Sequence, residues 1–83
     1  MKYLTDLLLL IAKFNRDYPE YRMEIELLED HRLRVTFPFD TKIESTIHDD
    51  NKIRELANYV EGYTRSFEHV LKSNQKGGTH GTL

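Results

Sequence analysis

Apolar residues at the start of the chain follow the spacing of one face of a helix. In "YLTDLLLLIAKF" they recur three and four positions apart, within a run of six consecutive apolar residues at 7–12. This spacing predicts a helix over 5–17, which ends before Pro19 because the residue preceding a proline avoids the α conformation. The predicted core stripe of this helix is Leu4, Leu7, Leu8, Ile11, Phe14 and Tyr18. Leu10 lies at the edge of the stripe, whereas Leu9 falls among polar residues on the opposite side.

Two segments in which apolar and polar residues alternate come next, and they predict a β-hairpin over 21–39. With a turn at 29–31, the apolar residues of both strands share one face of the hairpin. The predicted apolar pairs are Met23 with Phe37, Ile25 with Val35 and Leu27 with Leu33. Phe39 continues the inward set, and Glu26 lies opposite Arg34 on the outer face. The hairpin is thus predicted to have an apolar inner face and an outer face with paired charges.

A second apolar stripe predicts a long helix that begins at Asp49 or Asp50, whose carboxylates suit a helix N-terminus. The stripe consists of Ile53, Leu56, Ala57, Val60, Tyr63, Thr64, Phe67, Val70 and Leu71. Gly77 and Gly78 are predicted to end the helix. Gly62 interrupts it on the polar side, which indicates either a weak point or a close approach of another element.

The segment between the hairpin and the second helix has no clean alternation and fits either a short third strand or an extended crossover, and we favour a short edge strand at 41–45. The element order is then α-β-β-(β)-α, and its simplest packing places two helices on one face of a small antiparallel sheet. We therefore predict an α+β fold with a single domain at 1–76. The glycine-rich segment 77–83 is expected to be a disordered tail.

The same tail leads to a hypothesis about the gene. Lys76, Gly77 and Gly78 are the translation of a ribosome-binding sequence such as AAAGGAGGT. The Thr-His-Gly that follows can be encoded by ACACATGGA, which contains an out-of-frame ATG. The tail would then overlap the start of a downstream gene. Such close packing of genes indicates a bacterial operon, and with it a bacteriophage or another mobile genetic element.

Composition narrows the class of protein. The chain has 83 residues, 39% of them hydrophobic and 31% charged, which is the balance of one small folded domain. A chain of this size has a small core, so a homodimer is one way to bury more surface. Cysteine is absent, which excludes disulfides, thiolate metal sites and cysteine nucleophiles and favours the cytoplasm. The apolar run at 7–12 is far shorter than the roughly 20 residues that span a bilayer, so no membrane association is expected.

No arrangement of reactive side chains predicts an enzyme. The four histidines are His31, His48, His69 and His80. None has a second histidine three or four positions away, so no helical metal pair forms. His48 and the two aspartates after it are better explained as residues that cap a helix. The chain also lacks a glycine-rich phosphate loop and the sequence context of a serine nucleophile. We expect no catalytic residue, no metal and no cofactor.

A nucleic-acid interface is one of two functional hypotheses. Its candidate residues are Arg22, Arg32, Arg34, Lys52 and Arg54. The element order and the stretch "PEYRMEIE" resemble a double-stranded-RNA-binding domain, in topology and over most of the chain. That family binds phosphates through a lysine cluster at the start of its second helix, where this chain has Asp49 and Asp50. The net charge of −2 also lacks the basic footprint of a nucleic-acid binder, so this hypothesis ranks second.

The first hypothesis is a small protein-interaction module that binds and modulates, for example inhibits, a larger protein or assembly of the host or the phage. It rests on the lack of catalytic chemistry and on surplus apolar surface. The predicted partner-binding residues are Leu9, Leu10 and Tyr59. No motif identifies the partner, and a homodimer through either helix is an alternative use of the same surface.

Overall fold

The structure of the protein is a computed structural model that describes residues 2–81, with side chains described for 2–73. Its elements are α1 (Lys2–Asp17), β1 (Glu24–Leu27), β2 (Arg32–Thr36), β3 (Lys42–Thr46) and α2 (Asp50–Gly81). The strands form one antiparallel sheet in the order β1-β2-β3. The predicted α+β fold and its element order are confirmed, and the third strand pairs with β2 close to where it was expected.

The hairpin register agrees with the alternation of the sequence. The pairs found are Ile25 with Val35, Glu26 with Arg34 and Leu27 with Leu33. Met23 and Phe37 are both buried, but they lie just outside the strands, because β1 begins at Glu24 and β2 ends at Thr36. The strand pairing is therefore shorter than the predicted hairpin.

Asn15 explains why β1 begins late. Its side-chain amide Nδ2 donates a hydrogen bond to the carbonyl oxygen of Met23 at 2.9 Å, and its Oδ1 accepts one from the Met23 backbone N–H at 2.7 Å. Both polar backbone groups of Met23 are thus satisfied by α1 rather than by β2. This pair of hydrogen bonds ties the C-terminal end of α1 to the start of the sheet.

The two helices differ from prediction at two of their four ends, the start of α1 and the end of α2. α1 begins at Lys2, three positions before the predicted start, and ends at Asp17 as predicted. α2 begins at Asp50, and the Oδ1 of Asp49 accepts hydrogen bonds from the backbone N–H groups of Asn51 and Lys52, so the predicted cap is confirmed.

The C-terminal end of α2 lies beyond the predicted one. The helix continues to Gly81, past the glycine pair at 77 and 78 that was predicted to end it. A glycine weakens a helix by only about 1 kcal/mol, and no proline follows this pair to block the next turn. Residues 82 and 83 lie outside the described residues, and the division at residue 76 into a domain and a disordered tail stays a prediction.

The core lies between the helix pair and one face of the sheet. Its buried side chains are Leu7, Ile11, Phe14, Met23, Leu33, Val35, Phe37, Ile53, Leu56, Ala57 and Val60. Leu8 was predicted to belong to this core and is instead 45% exposed, because the buried line on α1 is only one residue wide. Leu27, on the predicted inner face, is also exposed, because it ends an edge strand. On α2, Val70 belongs to the predicted apolar stripe but is exposed.

Both hairpins turn through the same backbone shape. The first hairpin turn (28–32) is closed by the N–H of Leu28 donating to the carbonyl of Arg32 at 2.8 Å, and the second hairpin turn (37–41) by Phe37 donating to Thr41 at 2.7 Å. Each turn contains two consecutive non-glycine residues in the left-handed region. They are Asp30 (φ 62°) and His31 (φ 58°) in the first and Phe39 (φ 69°) and Asp40 (φ 67°) in the second.

The second hairpin turn overturns one prediction about the inner face. Phe39 was expected to continue the inward set of β2, but it is 80% exposed. The alternation of a strand ends at Thr36, and the left-handed backbone of Phe39 then directs the ring away from the core.

Neither helix, within residues 2–81, has the length of apolar sequence that a bilayer crossing requires.

Gly62 lies in open space, since a Cβ built on it meets no atom within 4 Å. The expected close approach at this position is therefore absent from the described structure, and the weak point is the interpretation that stands.

Candidate protein-interaction site

A cluster of aromatic rings gathers where α1 ends and α2 continues beyond it. Phe67 lies at its centre, with ring centroids 5.3 Å from Phe14, 5.1 Å from Tyr18 and 5.0 Å from Tyr21. All three pairs meet edge to face, an arrangement that aromatic quadrupoles favour. The cluster thus forms a firm apolar floor at this end of the molecule.

A groove opens over this floor, with a volume of about 360 Å³, and we call it the aromatic groove. Its lining residues are Tyr21, Phe39, Tyr63, Ser66, Phe67, Val70 and Leu71. Phe39 forms one wall, and Val70, which is 53% exposed, lies on α2 across from it. Apart from the hydroxyls of Ser66 and the two tyrosines, the side chains of the lining are hydrocarbon. Such exposed apolar surface is typical of a binding site for another protein or ligand.

Phe39 occupies a conformation that phenylalanine does not favour. Its φ of 69° lies in the left-handed region, which costs a residue with a Cβ roughly 1–2 kcal/mol relative to glycine-like freedom. Its ring regains little of that by burial, because four-fifths of it is exposed and its neighbour Tyr21 lies 6.2 Å away. Folding alone therefore gives no reason for a phenylalanine at this position.

The second hairpin turn is nevertheless held firmly beneath Phe39. Phe37 is buried, and its ring lies 4.9 Å from that of Tyr63. The Tyr63 hydroxyl donates a hydrogen bond to the carbonyl oxygen of Pro38 at 3.3 Å. These two contacts of Tyr63, with the residues that lead into the turn, fix the position from which Phe39 projects.

A second groove, of about 380 Å³, lies on the other side of Tyr21 and Phe39, and we call it the acidic groove. Its lining residues are Glu20, Tyr21, Arg22, Glu24, Thr36, Phe37, Pro38, Phe39 and Asp40. Three carboxylates and one guanidinium therefore share this space. Among the side chains described for 2–73, no ion pair involves any of these four charged groups.

The partner-binding residues predicted from the sequence fall into two separate places. Leu9, 64% exposed, and the half-buried Leu10 line a groove between the two helices. The other residues around that groove are Tyr3, Asp6, Arg54, Ala57, Asn58 and Glu61. Tyr59 projects from the opposite side of α2, where its ring lies 5.3 Å from that of Phe37. The structure thus brings Leu9 and Leu10 together and separates Tyr59 from them.

The outer face of the sheet carries balanced charges. Arg34 contacts Glu26 at 3.1 Å and Glu44 at 3.2 Å, and Arg32 contacts Glu44 at 2.8 Å. The hydrogen bond to Glu44 is the main cause that raises the pKa of Arg34 above its usual range. The guanidinium groups of Arg32 and Arg34, two candidates for nucleic-acid contact, are therefore already paired with glutamates.

The remaining basic candidates line three different grooves. Arg22 lies in the acidic groove, and Arg54 lies in the groove between the helices, with its guanidinium 5.9 Å from the ring of Tyr3. Lys52 lines a third place, beside β3 and Tyr59. The five residues proposed for nucleic acid thus form no continuous basic surface.

Two histidines that are distant in the sequence meet in the structure. The rings of His31 and His48 lie 4.6 Å apart, where the first hairpin turn meets the loop before α2, and Ile47 donates a backbone hydrogen bond to the carbonyl of His31 at 2.9 Å. Within the described residues, no third histidine or carboxylate joins a group that could hold a metal ion.

Tyr18 and Tyr63, at the aromatic end, remain neutral near neutral pH. Burial raises the pKa of Tyr63 above 10.0, with a smaller contribution from Tyr59. Burial also raises the pKa of Tyr18, as does the nearby carboxylate of Glu68. These phenols therefore act as hydrogen-bonding groups and packing surfaces rather than as bases.

No family model, curated protein or solved structure matches the chain. The function therefore has to be argued from the surfaces described above. The aromatic groove is the one that sequence reasoning missed. Its only local signal is an aromatic residue close after each proline, Tyr21 after Pro19 and Phe39 after Pro38, and this signal does not show that the two segments meet.

Proposed function

We propose that this chain is a small non-enzymatic protein-interaction module, encoded by a bacteriophage or another mobile genetic element. It acts in the cytoplasm by binding a larger protein or assembly of the host or the phage and modulating it, for example by inhibition. The partner binds over the aromatic groove. The predicted contacts at Leu9, Leu10 and Tyr59 are candidates for the outer parts of the interface or for a homodimer.

The observation that carries this proposal is the exposure of Phe39 together with its left-handed backbone. A large apolar ring stands in solvent, on a backbone conformation that would accommodate glycine or asparagine better. A residue that costs folding energy and gains almost no burial contributes nothing to the stability of the isolated chain. Its cost is offset if a partner buries the ring, since aromatic residues at the centre of an interface supply much of the binding free energy.

The rigidity of the second hairpin turn supports the same conclusion. Phe37 and Tyr63 hold the turn from below, so Phe39 and the walls of the groove are already in position before a partner arrives. Binding then requires little ordering of the backbone, which leaves more of the contact energy as affinity.

The charges of the sheet favour a protein partner over nucleic acid. A phosphate backbone needs basic side chains that are free to replace its counterions. Arg32 and Arg34 are instead held by Glu26 and Glu44. A gel-shift titration with duplex and single-stranded nucleic acid at low salt tests the second hypothesis directly, and a shift that weakens steeply with salt would revive it.

The proposal is tested with two matched glycine variants. Phe39→Gly and Asp30→Gly replace equivalent left-handed residues in the two hairpin turns, so both relieve the backbone and only the first removes the ring. Each tagged variant is crosslinked in the bacterium that carries the gene, and captured proteins are identified by mass spectrometry. We expect a partner that wild type and Asp30→Gly capture equally and that Phe39→Gly loses.

A third variant separates this surface from the one predicted by the sequence. Leu9→Lys changes the groove between the helices and leaves the aromatic groove intact. If Leu9→Lys loses the partner while Phe39→Gly retains it, the partner binds between the helices and the proposed surface is wrong. If no variant changes what is captured, the chain does not act through either surface.

A further inference from the structure

We propose that the segment of the partner protein that fills the aromatic groove carries a lysine or arginine beside its apolar anchor, and that this cation lies in the acidic groove. The inference rests on the proposed function and adds the chemistry of the partner to it. Two features of the structure support it. The aromatic groove and the acidic groove share a wall, and the acidic groove has an excess of negative charge.

The two grooves meet along Tyr21 and Phe39. Both residues line each groove, and their ring centroids lie 6.2 Å apart. A polypeptide that crosses this wall therefore places one side chain against Phe67 and Val70, and a neighbouring side chain against the carboxylates. One short segment of a partner is long enough to occupy both places.

The acidic groove carries an excess of negative charge. Glu20, Glu24 and Asp40 face a single cation, Arg22, and no ion pair forms among them. The groove thus carries two more negative charges than positive ones, beside the aromatic wall of Tyr21 and Phe39. A cation from a partner would satisfy them, since complementary charge at an interface adds specificity and speeds association.

The outer face of the sheet shows that this imbalance is local. There, two arginines lie among two glutamates, with contacts of 2.8 to 3.2 Å. That face has its charges paired within the chain and offers little to an external ion. The acidic groove, at the end of the same hairpin where β1 begins and β2 ends, retains charges for a partner.

The wall between the grooves also suits a cation. An ammonium or guanidinium group close to the face of Tyr21 or Phe39 is attracted by the negative face of the ring. A second copy of this chain fits less well as the occupant. A two-fold interface centred on this wall would bring two sets of the same carboxylates together, and like charges repel.

The experiment uses two short synthetic peptides with the same leucine and phenylalanine anchors. In one the anchors are flanked by lysine, and in the other by glutamate. Each is titrated into the full-length ¹⁵N-labelled chain, and binding is followed through the amide resonances of Tyr21, Phe39, Phe67 and Val70. We expect the lysine peptide to shift these resonances at lower concentration than the glutamate peptide, and its affinity to fall as salt is added.

Charge-neutral variants then locate the effect. The triple variant Glu20→Gln, Glu24→Gln and Asp40→Asn keeps the shape of the acidic groove, and asparagine suits the left-handed backbone at position 40. We expect it to lower the affinity for the lysine peptide by about three- to tenfold. The matched control, Asp6→Asn with Glu29→Gln and Glu55→Gln, removes the same charge outside this groove and should leave the affinity unchanged.

The outcomes separate this inference from the proposed function. Equal binding of both peptides at the groove, or equal loss in both triple variants, overturns the basic partner and leaves the interaction surface in place. Shifts confined to other residues, or no shift at all, count against the surface itself. A wild-type chain that sediments as a dimer, with Phe39→Gly as a monomer, would show that a second copy occupies the groove and would overturn the inference.

Discussion

The two hairpin turns of this protein have the same backbone and opposite surroundings. Each contains a left-handed pair closed by one hydrogen bond across the turn. In the first hairpin turn that pair is Asp30 and His31, and both residue types are found in the left-handed region more often than most. In the second it includes Phe39, which is not. The shape of the turn therefore does not explain the choice of residue, and the difference indicates a second requirement at Phe39.

The turns also differ in what lies beneath them. Leu28, at the start of the first, is half-buried, whereas Phe37, at the start of the second, is 1% exposed. The second is tied to α2, through the hydrogen bond from Tyr63 to Pro38, whereas the first is tied to the loop before α2, through the hydrogen bond from Ile47 to His31. The first turn serves to reverse the chain, and the second is in addition a support for an exposed ring.

The largest expected change in stability comes from the residue that supports the second turn, and it distinguishes that turn from the first. Phe37→Ala should lower the free energy of unfolding by about 3–5 kcal/mol, because it empties a fully packed site under the second turn. Leu28→Ala, at the equivalent position of the first turn, should cost clearly less, since this side chain is only partly buried. Urea denaturation followed by circular dichroism measures both. Equal losses would mean that the two turns are supported in the same way.

A gain in stability is expected when the left-handed residue of the second turn, Phe39, is replaced by glycine. Phe39→Gly should raise the free energy of unfolding by about 1 kcal/mol, because glycine adopts positive φ without strain. Asp30→Gly should gain less, since aspartate already tolerates this region. The same denaturation experiment gives both values. A loss of stability in Phe39→Gly would mean that the ring packs in the isolated chain, and that its exposure is not a sign of function.

The smallest effect concerns a glycine that no turn requires. Gly62 lies inside α2 with open space where a Cβ would stand, whereas neither hairpin turn contains a glycine. Gly62→Ala should therefore stabilise the protein by about 0.5–1 kcal/mol through the helix propensity of alanine. Thermal unfolding measures the change. Destabilisation would show that a neighbour approaches this position after all.

The pattern of the sequence was sufficient to predict the hairpin register and its turn. Alternation places the apolar residues on one face, and a shift of one residue would have turned them outward and separated Glu26 from Arg34. The same reasoning could not find the start of β1, because the hydrogen bonds of Met23 are made by a side chain eight positions earlier, Asn15. The same reasoning wrongly placed Leu8 in the core. How many residues of α1 are buried side by side depends on how closely α2 approaches, and the sequence pattern does not contain that distance.

The candidate sites divide in the same manner. The helical wheel predicted that Leu9 lies outside the core, and its exposure is confirmed, although its role in binding stays a prediction. The aromatic groove was not predicted. Its walls come from the segment after α1, from the second hairpin turn and from the later turns of α2, and no spacing along the chain relates these three.

The sequence by itself thus determined the elements, their order and the face that each one buries, because helical and strand periodicities are local and leave a record at every second or every third and fourth position. Only the tertiary structure decided that Leu8, Leu27 and Phe39, which the pattern places on buried faces, remain exposed. The reason is that burial depends on what packs against a residue, and the two left-handed residues of the second hairpin turn release Phe39 from the alternation that would have turned it inward.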